Sequence, residues 1–256
     1  YLGPRSSLPP EFGTATRVDA GQRLLTPALI DCHTHTAFVC ARAEEWELKL
    51  AGVSYEEIAA RGGGILSSAR AVASANNATL AAATVRNLSL LKAHGVGVIE
   101  AKSGYGLCLE HELRQLRAIA HAGDAVEIKT VGTCLAAHSL PENRRGSSEL
   151  REQYLREVCE EILPQAARSG LALRADVFCE RGVFTPEETS RIGRAAKACG
   201  LALTVHADQL SHSGGTRVAC ELGAQSADHL EYVDEADIAA MKAAGVVAVL
   251  LPGSTF

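Results

Sequence analysis

The chain has 256 residues, of which 47% are apolar and 21% are charged, and its formal net charge is −5. This length is typical of a single α/β barrel, and this composition argues against a disordered chain. The sequence has no basic block and no apolar run near the about 18 residues of a membrane span, so it predicts neither a nucleic-acid partner nor a membrane partner.

The start of the chain and its cysteines bear on where the protein works. The sequence starts at Tyr1 and its single Met is Met241, so we expect a part of a longer protein, without a signal peptide. The eight cysteines are scattered and form no C-x-x-C pair, which predicts reduced thiols and a cytoplasmic protein. Cys134 and Cys179 lie on predicted strands and are interpreted as core thiols.

The first 23 residues differ from the rest of the chain. Residues 1–23 are rich in Gly, Pro and Ser and contain short β-like fragments, which predicts the remnant of a small β module before a main domain at residues 24–256. Strand-length apolar runs then alternate with helical segments. The predicted strands are Leu25–His33, Val96–Ser103, Glu127–Ala136, Leu173–Cys179, Leu201–Ala207, Gln225–His229 and Val246–Leu251. The predicted helices are Ser54–Arg61, Thr79–Ala93, Leu109–His121, Ser148–Ser169, Pro186–Cys199, Gly214–Leu222 and Glu235–Ala244.

The alternation of strands and helices indicates a parallel sheet. A doubly wound open sheet would be expected to carry a Gly-rich phosphate loop after its first strand. The first strand is followed instead by His33-Thr34-His35. We therefore predict a (β/α)8 barrel that stops after its seventh strand.

Histidines gather where the predicted strands end. Five of the nine histidines lie at the carboxyl end of a predicted strand, namely His33, His35, His138, His206 and His229. Because barrel enzymes place their chemistry at the carboxyl ends of strands, these rings are predicted to share one site. His33 and His35 are two residues apart and so point to the same side of a strand, a good geometry for one divalent metal ion. The alternative is a pair of ordinary histidines in a strand-to-loop turn.

A series of motifs resembles the imidazolonepropionase family of the amidohydrolase superfamily. In chain order the motifs lie at residues 33–35, 42–45, 54–58, 62–65, 102–107, 176–180, 206–210 and 226–231. The resemblance implies the hydrolysis of 4-imidazolone-5-propanoate to N-formimidoyl-L-glutamate in histidine breakdown. It also implies a homodimer, and a β-sandwich built from both chain ends, of which residues 1–23 would be the remnant.

The resemblance implies a metal centre with one Zn or Fe ion. Its ligands would be His33, His35, His206 and an Asp of the eighth strand, which lies beyond Phe256. Such an ion lowers the pKa of a water molecule and polarises the substrate carbonyl. The Lys-Ser-Gly-Tyr context of Lys102 argues against a carbamylated lysine that bridges two ions, so we expect a single ion.

Two residues are predicted to take part in catalysis. His229 would transfer protons or stabilise a developing oxyanion, with a hydrogen-bonded core histidine as the alternative. Gln209 would orient the substrate or the water, but its amide cannot act as a general base. Nearby Asp208 either supports a ligating histidine or caps a helix, and the sequence leaves both open.

Besides Gln209, three residues are predicted to bind the substrate. Arg42 suits the propanoate because a guanidinium grips a carboxylate through two parallel hydrogen bonds, although a surface ion pair with Glu44 or Glu45 is the alternative. Tyr105 lies in a turn flanked by glycines that would bring its ring to a ligand. His138 resembles the family's substrate-binding histidine.

Two other functions remain open at this point. Another amidohydrolase, such as a cytosine- or guanine-type deaminase, would be expected to lack the Arg42 and Tyr105 grip on an anion. A metal-binding barrel fragment without catalysis is the other alternative, because the eighth strand is missing. Gly62–Gly64 lacks the Lys-Ser/Thr of a phosphate loop and is interpreted as a flexible loop of the active site.

Overall fold

In the computed structural model, which describes residues 3–255, seven parallel strands form one sheet in the order of the sequence. Each of the seven strands overlaps one predicted from the apolar runs and extends beyond the predicted bounds by at most one residue. The strands are β1 (Leu29–Thr34), β2 (Val96–Lys102), β3 (Lys129–Ala137), β4 (Arg174–Cys179), β5 (Ala202–Ala207), β6 (Ser226–His229) and β7 (Val247–Val249). The prediction of a parallel α/β barrel is confirmed.

The sheet has two edges, β1 and β7. Both edges expose apolar side chains, with Ile30 of β1 and Val247 of β7 69% and 60% exposed. In a closed barrel of eight strands, one further strand would pair with both edges and cover such side chains. The architecture is therefore that of a truncated barrel, as predicted.

Helices connect the strands. The helices are α1 (Ala43–Leu50), α2 (Tyr55–Ala60), α3 (Ile65–Ser74), α4 (Asn77–Ala93), α5 (Leu109–Val126), α6 (Ser148–Glu157), α7 (Leu163–Arg168), α8 (Pro186–Ala198), α9 (Gly215–Leu222), α10 (Glu235–Ala244) and α11 (Pro252–Thr255). Helices α8 and α10 begin at capping boxes, in which the Thr185 and Asp234 side chains each accept a hydrogen bond from the amide three residues on. Helices α1, α3 and α11 lie where no helix was predicted.

The predicted helix at Ser148–Ser169 is divided by a π-turn at Val158–Ile162. Pro164, next to this turn, has no amide hydrogen to donate to the preceding turn, and its ring crowds the carbonyl of Glu160. The wider π-turn relieves both conflicts. It joins α6 to α7, so the two do not form one regular helix.

Alternation along the strands separates an apolar outer face from a polar interior. On β5, Leu203 and Val205 pack outward against Leu222 of α9, while Thr204 and His206 occupy the other face. A second cluster packs Ala175 and Val177 of β4 beneath α6, α7 and α8. The helices therefore cover the barrel from outside, and the interior is left to buried polar side chains.

The Gly62–Gly64 segment is a packed turn rather than an open loop. A Cβ atom at Gly63 would lie 2.7 Å from Ile58 Cγ2 and 3.1 Å from Glu45 Oε1, so only glycine fits. The amide of Gly64 donates to Glu45 at 3.0 Å, and α3 starts directly after it.

The N-terminal segment contains two short 3₁₀ turns, Arg5–Ser7 and Pro10–Phe12, and no strand within residues 3–28. Its assignment to a β-sandwich stays a prediction. Tyr1, Leu2 and Phe256, and the side chains of Tyr55 and Glu56 in the 54–58 motif, lie outside the described residues. Among the described helices, none is long and apolar enough to cross a membrane.

Candidate metal centre and active site

Three of the predicted histidines meet at the carboxyl end of the barrel. His33 lies on β1, His35 follows directly after β1, and His206 lies near the end of β5. Their Nε2 atoms converge, with His35 Nε2 3.3 Å from that of His33 and 3.2 Å from that of His206. The structure brings these three rings close enough together to hold one metal ion.

The spacing of these nitrogens fits a cation between them. A tetrahedral ion with bonds of about 2.0–2.1 Å to nitrogen sets neighbouring ligand atoms about 3.3–3.4 Å apart. His35 Nε2 lies close to two other ring nitrogens, but a neutral imidazole nitrogen carries at most one hydrogen. A hydrogen bond would therefore explain only one of these two contacts, whereas an ion shared by the three rings explains both. The donor set is therefore that of an open three-histidine metal site.

Two carboxylates orient the rings from behind. Asp228 Oδ2 on β6 lies 2.6 Å from His33 Nδ1, and Asp176 Oδ2 on β4 lies 3.0 Å from His206 Nδ1. The contact at His33 is a hydrogen bond, and a ring that donates it from Nδ1 keeps the lone pair of Nε2 for a metal. Asp176 lies close to His206 Nδ1 without forming a hydrogen bond to it. In the strand register, His206 lies opposite Asp228 of β6 and Phe178 of β4.

A buried lysine joins these carboxylates. Lys102 Nζ lies 2.7 Å from Asp176, 2.9 Å from Glu100 and 3.6 Å from Asp228, and its side chain is fully buried. Burial alone would lower the pKa of Lys102, but the three carboxylates outweigh burial and raise it, so the side chain is a cation. Burial opposes ionisation of Asp176, but His206 and Lys102 hold its pKa well below the ordinary value. Burial raises the pKa of Glu100 and that of Asp228.

The histidine rings are neutral near pH 7. Burial, followed by the charge of Lys102, lowers the pKa of His33 to about 2. Burial also lowers the pKa of His206 to about 3 and that of His35 well below its ordinary value. A metal therefore meets lone pairs without competition from protons.

Two more rings line one side of the centre. His138, which follows β3, stacks on His35 at 4.9 Å between ring centroids, and Tyr105 lies 5.8 Å from His35 and 5.4 Å from His138. His138 Nδ1 lies 3.0 Å from the carbonyl oxygen of Gly104, which accepts its hydrogen and leaves His138 Nε2 as an acceptor. Burial lowers the pKa of His138 to about 3, so this ring is neutral too.

His229 lies across the centre from Tyr105. Its ring centroid is 5.2 Å from that of His33 and 5.1 Å from that of His206. His229 and Leu230 have φ values of +82° and +69°, a left-handed conformation that costs energy in residues with a side chain. Because of this bend, the His229 side chain points into the mouth of the barrel, while the side chain of the preceding residue, Asp228, points into the interior.

The three other residues weighed from sequence lie on the surrounding loops. Arg42, which precedes α1, forms a 3.5 Å ion pair with Glu45, the surface alternative named above, and its side chain is 35% exposed. Gln209 is half-buried on the loop after β5. Asp208 accepts hydrogen bonds from the amides of Gly214 and Thr216 at 2.9 Å, so it caps α9 and does not contact a ligating histidine.

Sequence reasoning missed the buried charges of the interior. Glu100, Asp176 and Asp228 received no role, and Lys102 was weighed only as a metal ligand. A signal was present, because a charged residue on an otherwise apolar buried strand needs a partner. The sequence does not show, however, which of these charged residues face one another across the barrel.

We expect Asp228→Asn to weaken metal binding about 10–100-fold, the usual size of such an effect behind a ligating histidine. The amide oxygen still accepts from His33 Nδ1, but it has no negative charge to make the ring more basic. Competition with a chelator of known affinity measures the change.

Asp237→Asn is the matched control, because Asp237 also contacts a histidine, His212, at 2.9 Å and lies outside this site. It should change thermal stability but leave the metal affinity of the three-histidine site within about twofold, since Asp237 contacts none of those three histidines. Equal losses of affinity in both variants would contradict the role given to Asp228.

Solved structures share this fold. An adenine deaminase from Arthrobacter aurescens aligns with a TM-score of 0.60 at 17% identity, covering 90% of this chain and 73% of its own. A 5-methylcytosine deaminase from Klebsiella pneumoniae aligns with a TM-score of 0.62 at 18% identity, covering 92% of this chain and 57% of its own. Identities this low establish the fold and nothing further.

Sequence comparison is more specific. No family model matches the chain. An imidazolonepropionase from Hyphomonas neptunium is 48% identical over 260 residues, and one from Paraburkholderia phymatum is 46% identical over 256 residues. Each alignment covers 100% of this chain but only 63% and 62% of the two relatives, so the chain spans about three fifths of their length. Over its whole length, the chain is therefore similar to imidazolonepropionases.

Proposed function

We propose that this chain is the barrel part of an enzyme that hydrolyses 4-imidazolone-5-propanoate to N-formimidoyl-L-glutamate by breaking a C–N bond of the cyclic amide. The observation that carries the proposal is the convergence of the Nε2 atoms of His33, His35 and His206. One divalent ion there would polarise the ring carbonyl and lower the pKa of a water molecule toward 7. Zn and Fe both suit imidazole ligands, and the ion is proposed to be one of the two.

His138 is proposed to hold the ring of the substrate. Its Nδ1 hydrogen is donated to Gly104, so Nε2 accepts a hydrogen bond and suits a ring N–H better than a carbonyl oxygen. Stacking against His35 keeps its plane fixed beside the metal centre. This places the amide to be cleaved next to the site where water is activated.

His229 is proposed to move the proton. Burial lowers its pKa, so the ring is neutral and takes a proton from the attacking water. It then returns the proton to the ring nitrogen that leaves as the C–N bond breaks. Glu231 Oε1, 3.7 Å from His229 Nδ1, stabilises the ring while it is charged. This pair answers the need for a base that Gln209 cannot meet.

The propanoate is proposed to bind between Arg42 and Tyr105. The pair between Arg42 and Glu45 is 3.5 Å long, and the arginine is partly exposed, so a substrate carboxylate can replace or join Glu45. Gln209, on the opposite loop, is proposed to orient the substrate or the water. The homodimer, the cytoplasmic location and the β-sandwich at residues 1–23 remain proposals from the family resemblance.

The test uses the full-length protein, with and without prior removal of metal by a chelator. We expect conversion of 4-imidazolone-5-propanoate to a product heavier by one water, detected by mass spectrometry, without release of ammonia. Activity should disappear after chelation and return on addition of Zn²⁺ or Fe²⁺.

Ammonia release from an aminopyrimidine or aminopurine, with the imidazolone unchanged, would overturn the proposal in favour of a deaminase. Unchanged activity after complete removal of metal would overturn the role of the three histidines.

A further inference from the structure

The loop that carries Tyr105 is held by two buried side chains of α5. Glu112 is fully buried in the first turn of this helix, and its Oε1 accepts hydrogen bonds from the amides of Gly106 and Leu107, both at 2.8 Å. Its Oε2 accepts from the amide of Gly104 at 3.1 Å. A buried carboxylate with three backbone donors is a strong and directional anchor for a loop.

Gln115, one turn further along α5, completes the set. Its Oε1 accepts from the amide of Tyr105 at 3.0 Å, and its Nε2 donates to the carbonyl oxygen of Ala37 at 2.7 Å. All four amides from Gly104 to Leu107 therefore bond to two side chains of one helix. Gln115 also ties this loop to the segment that follows His35 on the neighbouring strand.

The packing around this anchor leaves little freedom. A Cβ atom at Gly106 would lie 2.3 Å from the amide nitrogen of Glu112, so the loop backbone rests directly on the start of α5. The carbonyl of Gly104 accepts the hydrogen of His138 Nδ1, so the same loop orients that ring as well. A movement of the loop would displace both Tyr105 and His138.

We infer that Glu112 and Gln115 are positioning residues, whose hydrogen bonds to the amides of Gly104–Leu107 place Tyr105 and His138 for binding of the substrate. The expected change in KM rests on the proposed function, whereas the expected ordering of the loop rests only on the hydrogen bonds described above. Neither residue touches a metal ligand side chain, so loss of the anchor should affect substrate binding and leave the metal in place.

The test compares Glu112→Gln with the matched control Glu110→Gln in the full-length, metal-loaded protein. Glu110 lies two residues earlier on α5 and is exposed. In Glu112→Gln an amide NH₂ replaces one acceptor oxygen, so at least one loop amide faces a donor. Gln115→Met, which keeps the size of the side chain and removes both of its hydrogen bonds, serves as a second variant should the first fold poorly.

We expect hydrogen exchange at residues 104–107 to rise at least about tenfold in Glu112→Gln, while exchange in the strands stays unchanged. The KM for the imidazolone should rise about tenfold with kcat within about twofold, and the metal content should not change. In a Tyr105→Ala background, the effect of Glu112→Gln on KM should shrink, because residues that act through one another are not additive.

Unchanged exchange at residues 104–107 would overturn the anchor itself. Raised exchange with unchanged KM would overturn its role in positioning, as would a rise of exchange over the whole chain together with loss of metal. If the unmodified protein does not convert the imidazolone, the proposed function fails, and raised loop exchange in the variant then still supports the anchor.

Discussion

Replacing His206 with alanine is expected to remove the metal and with it nearly all activity. His206 supplies one of three converging nitrogens. Its Nδ1 atom lies 3.0 Å from Asp176 Oδ2, and its backbone amide donates a hydrogen bond to Asp176 Oδ1 at 3.1 Å. Without His206, only His33 and His35 of the three converging rings are left to bind the ion. We expect less than about 0.1 metal ion per chain and a fall in kcat/KM of at least about 1000-fold.

Elemental analysis and steady-state kinetics measure these two effects. His121→Ala is the control, because His121 is an exposed histidine on α5, and it should retain full metal and activity. A His206→Ala protein that still holds one ion per chain would show that the metal lies elsewhere. A metal-free variant with full activity would show that catalysis does not need the three-histidine site.

Replacing Lys102 with methionine is expected to be the most destabilising change in the barrel interior. The side chain is fully buried among Glu100, Asp176 and Asp228, and methionine would fill similar space without its charge. The buried Asp176 carboxylate would then be left without its cation, which costs about 3–5 kcal/mol of the free energy of unfolding. Urea or thermal unfolding of the metal-free protein measures this loss.

Lys92→Met makes the same chemical change on the surface. Lys92 pairs with Glu127 at 3.7 Å, and the two side chains are 46% and 88% exposed. An exposed pair of this kind contributes about 0.2–1 kcal/mol, so this variant should remain close to the unmodified protein. A loss in Lys102→Met no larger than that in Lys92→Met would mean that the interior carboxylates are not held as charges.

The periodicity of apolar residues was enough for most of the architecture. A buried parallel strand is a short apolar run, and all seven strands could be located from such runs within a few residues. Helices α1 and α3 were harder to locate, because α1 buries none of its residues and both helices lie beside a Gly-rich turn whose shape depends on Glu45 and Ile58. The π-turn before Pro164 likewise reflects a conflict between local backbone and packing that a pattern of residues does not reveal.

The sequence by itself determined which rings gather at the mouth of the barrel, because a parallel barrel brings the ends of its strands together and His33, His35, His138, His206 and His229 all stand at such ends. Only the tertiary structure decided what supports them. The pairing of Asp228 with His33, of Asp176 with His206, and of Lys102 with both carboxylates joins residues far apart in the chain. Their contacts arise from strand register and barrel curvature, which no local pattern encodes, since many buried charges can satisfy one another in more than one way. The same reason explains why Asp208 proved to be a helix cap, and why Glu112 and Gln115, ordinary residues of an amphipathic helix in the sequence, proved to hold the Tyr105 loop.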